Sequence, residues 1–167
     1  SATLDMFIPG TLTVEYDDPD GDAVLKTDEG TEGAAICANV TLDNGILRAT
    51  GPDFASADDG SSVGLRGRLT THGSSVEAQL TARTGYASYG LYFDKQGSGR
   101  GDTWTMGLGK VTAAAGHALS RYSYGLYVDY SSVNALELDG TQLTAMGGES
   151  DQYGSQGVFA GEEVIVK

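Results

Sequence analysis

The chain predicts an all-β fold, an antiparallel β-sandwich or barrel of jelly-roll-like meander topology with an extended acidic N-terminal arm. Three observations carry that expectation. The segments Tyr89-Gly90-Leu91-Tyr92-Phe93-Asp94 and Tyr124-Gly125-Leu126-Tyr127-Val128-Asp129 repeat one signature at an offset of 35 residues, and each alternates with the two-residue period of a half-buried strand. Asn44-Gly45 and Asp139-Gly140 are each flanked by short alternating segments, the strongest local signal for a hairpin because both dipeptides adopt positive φ at little cost. Only residues 111–119 suggest a helix, and Gly116 opposes it there.

At the N-terminus, Leu4, Met6, Phe7 and Ile8 form an apolar anchor closed by Pro9-Gly10, and Thr11 to Tyr16 alternates as a strand. Acid-rich turns follow, Asp17-Asp18-Pro19-Asp20-Gly21-Asp22 and Asp28-Glu29-Gly30-Thr31-Glu32-Gly33, around the short stretch Ala23-Val24-Leu25. Residues 1–34 therefore read as an acidic docking arm with Leu4, Met6, Phe7 and Ile8 as its contacts, and 35–167 as an antiparallel β-domain.

Within that domain, Ile36 to Leu42 and Ile46 to Thr50 form a hairpin across Asp43-Asn44-Gly45. Val63, Leu65 and Leu69 alternate against Arg66 and Arg68, and Ser75 to Thr84 alternates again. The two tyrosine-rich copies bracket a strand over 103–112 with Trp104, Met106 and Leu108 on one face. With one antiparallel strand between them, the copies run in the same direction about 10 Å apart, which puts Tyr92 near Tyr127 and Asp94 near Asp129. In each copy Tyr89, Leu91 and Phe93, or Tyr124, Leu126 and Val128, share the apolar face. A hairpin over 134–146 and a final strand at Val164-Ile165-Val166 bring the total to about ten strands, the pattern of a sandwich or barrel.

The core is thin for the length. Leu, Ile, Val and Phe number 34 of 167 residues, while Ala and Gly contribute 18 and 25, so partner subunits are expected to supply burial. The net charge of −13 is uneven: residues 1–60 hold 13 acids and two bases, 61–130 four acids and seven bases, and 131–167 six acids and one base. An acidic third beside a mildly basic centre suits electrostatic contact between copies. The scattered bases make no phosphate-binding patch, which disfavours nucleic acid as a partner, and none is expected. No apolar run approaches the roughly 18 residues of a membrane span, and no signal-peptide pattern is visible.

Candidate chemistry is sparse. Asp18, Asp20 and Asp22, with Glu29 eleven residues after Asp18, offer oxygen ligands at spacings similar to a calcium loop, although the glycine stands at the fourth loop position rather than the sixth. No other cofactor is indicated. His72 and His117 are the only histidines and no nucleophile elbow exists. Glu77, Asp94, Asp129 and Glu137 lie on strands where a glycosidase would place paired carboxylates. Cys37, the single cysteine, sits in the run Ala34 to Ala38 and reads as a buried, inert thiol. Arg100-Gly101-Asp102 lies in a loop whose turn composition accounts for it. Seven of the nine tyrosines fall between Tyr86 and Tyr130, with Tyr92, Tyr127, Asp94 and Asp129 forming a face for subunit or glycan contact.

The Tyr-Gly-Leu-Tyr pattern resembles that of Gly/Tyr-rich fibre and decoration proteins of viruses. These features together predict a non-enzymatic assembly protein, a virion decoration or fibre-like component at a virion or extracellular surface. It is expected to form a homo-oligomer, a trimer being the first candidate, and to dock on a protein shell or neighbouring subunit. The alternative is a carbohydrate-binding module or adhesin.

Overall fold

The structure, a computed structural model, describes residues 3–6, 11–15, 26–27, 30–37, 39–43, 45–93, 103–129, 135–161 and 163–167. These residues form a parallel β-solenoid, in which the chain winds in coils and each coil gives one strand to each of three faces. The first coil holds β1 (Thr3–Met6), β2 (Thr11–Glu15), the two-residue β3 (Lys26–Thr27) and β4 (Gly30–Cys37). The second holds β5 (Asn39–Asp43), β6 (Ile46–Thr50) and β7 (Ser61–Arg66), and the third β8 (Leu69–His72), β9 (Glu77–Thr81) and β10 (Ser88–Phe93). The fourth holds β11 (Thr103–Met106), β12 (Gly109–Ala114) and β13 (Ser123–Val128). The fifth holds β14 (Ala135–Leu138), β15 (Thr141–Met146) and β16 (Ser155–Ala160), after which β17 (Glu163–Val166) opens another turn.

Every coil-to-coil ladder is parallel; only the short β3 pairs antiparallel, with β4. Face two runs β2-β6-β9-β12-β15 and face three β4-β7-β10-β13-β16 without interruption, whereas face one divides into β1-β5-β8 and β11-β14-β17. The antiparallel sandwich or barrel expected from sequence is thus corrected, and with it the antiparallel description of 35–167. β1 and β2 pair in parallel with β5 and β6, and the boundary expected at 34 falls inside β4.

The reason lies in the turns. Gly45 (φ 83°) and Gly140 (φ 71°) take the left-handed conformation a hairpin would need, but each turns a corner, so β5 and β6, like β14 and β15, lie on different faces. A hairpin and a solenoid corner ask the same of a glycine; they differ in the strand met next, which may lie about thirty residues away. The strand expected over 103–112 is likewise two strands, broken at Gly107-Leu108, with Met106 buried and Leu108 54% exposed. The two tyrosine-rich copies run in the same direction but as direct neighbours, Tyr89 opposite Tyr124 and Leu91 opposite Leu126, at about 4.8 Å rather than 10 Å.

The interior is a stack of columns. Leu47, Ala78 and Val111 follow one another along the axis, beside Ala49, Leu80 and Ala113, all buried. In the second and third coils a large residue in one column stands beside alanine in the other, the alternation that fills a narrow cross-section. Leu65, Leu91 and Leu126 form the matching column of face three. A core this narrow accommodates a chain with few large apolar residues, because alanine, serine and glycine occupy many inward positions.

Where faces two and three meet, serine replaces hydrocarbon. Ser62, Ser88 and Ser123 are buried in register. Each hydroxyl donates to a carbonyl of the loop in its own coil and accepts an N–H from the loop of the next. Ser62 Oγ lies 2.5 Å from Pro52 O and 2.8 Å from Arg83 N. Ser88 Oγ lies 2.9 Å from Arg83 O and 2.7 Å from Gly116 N. Ser123 Oγ lies 2.7 Å from Gly116 O and 2.9 Å from Gly148 N. Two residues on, Gly64, Gly90 and Gly125 face the backbone of face two, and a Cβ on Gly90 would stand 2.5 Å from Ala114 N.

Ser88→Ala is expected to leave a buried carbonyl and N–H without their shared partner and to cost about 1–3 kcal/mol in urea unfolding. Gly90→Ala is expected to cost about 1–3 kcal/mol through forced backbone displacement. Gly154→Ala, where nothing lies within 4 Å of the added carbon, is expected to stay within about 0.5 kcal/mol of the parent.

Candidate functional site

The densest side-chain chemistry lies on the outside of face three. Strict alternation would turn Tyr89 and Tyr92 to opposite sides, yet both are half-buried while Gly90, Leu91 and Phe93 are buried. The strand carries two successive inward residues at Gly90-Leu91, and this shift in phase brings Tyr89 out beside Tyr92, with ring centroids 5.0 Å apart and planes at 88°. The expectation that Tyr89 shares a face with Leu91 and Phe93 is corrected accordingly.

In-register stacking then builds an aromatic column. Arg66, Tyr92, Tyr127 and Phe159 occupy equivalent positions in four consecutive coils. The Arg66 guanidinium lies 5.2 Å from the Tyr92 ring, Tyr92 lies 4.8 Å from Tyr127, and Tyr127 lies 5.3 Å from Phe159 with planes only 10° apart. Tyr124 stacks on Tyr122, Tyr127 and Phe159 at 5.2, 5.6 and 5.2 Å. Tyr92 donates its hydroxyl to Asp129 Oδ2 at 3.3 Å. At the loop end, Arg121 lies over Tyr86 and Tyr153, and its Nε donates to Tyr86 Oη at 2.5 Å. That hydrogen bond raises the Arg121 pKa further.

The structure thus brings together three of the four residues expected to form the face, Tyr92, Tyr127 and Asp129; Asp94 lies outside the described residues. It adds Tyr89, Tyr124, Phe159 and Arg66. A signal for them exists in the sequence: Ser62-Val63-Gly64-Leu65-Arg66 and Ser155-Gln156-Gly157-Val158-Phe159 are further, degenerate copies of Ser-Tyr-Gly-Leu-Tyr. Their spacings of 26, 35 and 32 residues along Ser62, Ser88, Ser123 and Ser155 hide the repeat.

The remaining candidates are dispersed or lie elsewhere. Asp18, Asp20, Asp22 and Glu29, Phe7 and Ile8 of the arm, and Arg100-Gly101-Asp102 lie outside the described residues; Leu4 and Met6 fall in β1. Among the described residues no group of three or more His, Cys, Asp or Glu is placed to hold a metal ion. Glu77, Asp129 and Glu137 stand on or beside three different faces; Glu77 accepts from Gln79 Nε2 at 2.5 Å and Glu137 pairs with Lys167 at 2.9 Å. His117 Nε2 lies 2.7 Å from Asp151 Oδ1. Cys37, expected to be buried, is exposed, because alternation in β4 turns Ala34 and Ile36 inward and Cys37 outward, next to Arg66.

Ring geometry decides what the aromatic face can do. Tyr122, Tyr124, Tyr127 and Phe159 stack with planes 10–23° apart and turn their faces to one another, whereas Tyr89 stands edge-on to Tyr92 at 88° and Tyr92 is tilted 44° from Tyr127. The arrangement therefore ties coil to coil first, and offers hydrogen bonds at the surface before open ring faces. Burial, then the neighbouring Tyr127 and Tyr124 hydroxyls, hold the Tyr89 pKa well above its ordinary 10.0. The folded chain keeps this proton after the unfolded chain has lost it, so the stability it contributes is complete below pH 10.0 and declines as pH rises above that value. Tyr89→Phe is expected to remove this part of the alkaline loss, seen as a shallower fall of the urea midpoint above pH 10.0 than in the parent.

Comparison with protein-family models, with curated proteins and with solved structures returned no match to this chain. The β-sandwich expected for a virion decoration protein is corrected, the fold being a β-solenoid, and no match bears on a virion or capsid role.

Proposed function

We propose that the chain is a non-enzymatic structural module, a β-solenoid that assembles with a second copy of itself through the coil of β15, β16 and β17. The supporting observation is the state of that coil. Val158 is 43% and Val166 75% exposed, although Leu126 and Leu138, their equivalents one coil earlier, are buried. Leu143, Ala145, Ala160 and Val164 are only partly buried, and β15, β16 and β17 each end their ladder. Apolar ends beside strand edges are the two features by which β structures join.

Charge accompanies this geometry. Among the described residues, 1–60 hold seven acids and two bases, 61–130 two acids and five bases, and 131–167 five acids and one base, so mildly basic middle coils lie between acidic ones. Pairing of two such coils about a two-fold axis buries the same apolar patch from both copies.

A second reading, glycan recognition on Tyr92, Tyr127 and Asp129, is favoured by the density of rings and flanking arginines. It is weakened by the stacking that occupies their faces.

Sedimentation velocity is expected to show a dimer whose population rises with protein concentration and with added salt, since salt screens the paired acidic coils. Val158→Asp and Val166→Asp, both at exposed positions, are expected to give monomers with unchanged circular dichroism. A parent protein that stays monomeric at every concentration and salt level defeats the reading.

A further inference from the structure

Face one is the only face divided among the described residues, and the division lies between β8 and β11. Beside it is a pocket of about 680 Å³ lined by Thr70, Thr71, His72, Gly73, Thr105, Gly107, Leu108 and Asp139, a size within the roughly 300–1,000 Å³ of small-ligand sites. We propose that this pocket binds a neutral saccharide.

Its floor is built rather than incidental. Gly107 O accepts from Thr71 Oγ1 at 2.9 Å, and Thr141 Oγ1 lies 2.6 Å from both Gly107 O and Met106 O, so hydroxyls from the coils on either side hold this stretch of backbone in place. A Cβ on Gly107 would overlap Thr71 O, so only glycine permits this approach. The walls supply the groups that sugars use. Thr70 is half-buried and Thr105 exposed, His72 and Asp139 are exposed, and Leu108, 54% exposed, offers an apolar surface for the C–H face of a ring.

The lining also restricts the ligand. Among the described residues it contains no Lys or Arg, and the chain carries −13 overall, which disfavours phosphate and carboxylate ligands. Among the described lining residues Asp139 is the one carboxylate, and the paired acids of glycoside hydrolysis are not assembled from them. An extended peptide would need the edges of β8 and β11, and at the start of β8 Leu69 O already accepts from Trp104 Nε1 at 3.0 Å. The site lies along face one, on a different face from the tyrosine column, and includes Asp139 of the fifth coil.

Titration of ¹⁵N-labelled protein with maltose, cellobiose, lactose and N,N′-diacetylchitobiose tests this directly. At least one sugar is expected to shift the amide resonances of His72, Thr105, Leu108 and Asp139 with saturable, millimolar affinity. Leu108→Ala and Asp139→Asn, both at exposed positions, should each weaken that binding roughly tenfold without moving distant resonances, and Tyr92→Phe should leave it unchanged. The proposal is overturned if no sugar in the set binds, if shifts map to the tyrosine face, or if an alternating Thr-Val hexapeptide binds the pocket while the sugars do not.

Discussion

Parallel stacking in register governs this molecule, because it places each residue about 4.8 Å from its equivalent in the coils before and after. Every column must therefore hold residues that tolerate their own kind. Buried columns meet the requirement with Leu, Ala, Ser and Gly. Where charges enter, the columns dilute them: Lys110 stands between Glu77 and Gln142, and Arg48 is followed by Gln79, which accepts from its Nε at 3.2 Å, and then by Thr112 and Thr144. The aromatic column obeys the same rule, since rings can stack where like charges cannot.

This constraint also explains how 34 large aliphatic and Phe residues suffice for 167 positions. A sandwich needs two wide apolar faces, whereas a solenoid coil needs only a few inward side chains per strand, each covered by its neighbours along the axis. Backbone hydrogen bonds run parallel to that axis, and the buried serine hydroxyls extend the same direction of bonding into the loops. Polar groups inside such a narrow core are acceptable because each Ser62, Ser88 and Ser123 oxygen both donates and accepts.

Part of the strand set was legible in the sequence, although 36–42 and 103–112 each divide between two strands; the partners were not. Alternation marks β5, β6, β9 and β13, and Asn44-Gly45 and Asp139-Gly140 mark real changes of direction. Local pattern cannot tell a reversal from a corner, however, and loops of unequal length between faces two and three shift the repeat from 26 to 35 residues. For the candidate face, Tyr92, Tyr127 and Asp129 follow from the repeated hexapeptide, because the two copies do run side by side. Tyr89 was assigned to the wrong side since a two-residue period cannot anticipate the inward pair Gly90-Leu91. Arg66 and Phe159 escaped because their copies of the motif had lost the tyrosine. The pocket beside β8 and β11 has no local signature, being made by the absence of a ladder.

A solenoid divides its possible work between flanks and ends. On the flanks, backbone groups are consumed by the neighbouring coils, so any recognition must come from side chains or from a fault in the stack, and the interruption of face one is such a fault. At the ends, strand edges and core residues come to the surface together. Stability in such a stack is a sum over neighbouring coils, so a coil covered on one side gains from a partner. Pairing about a two-fold axis would cover Val158 and Val166, which stand over the columns of Leu126 and Leu138. It would do so by apolar contact between like patches and not by continuing the parallel ladder.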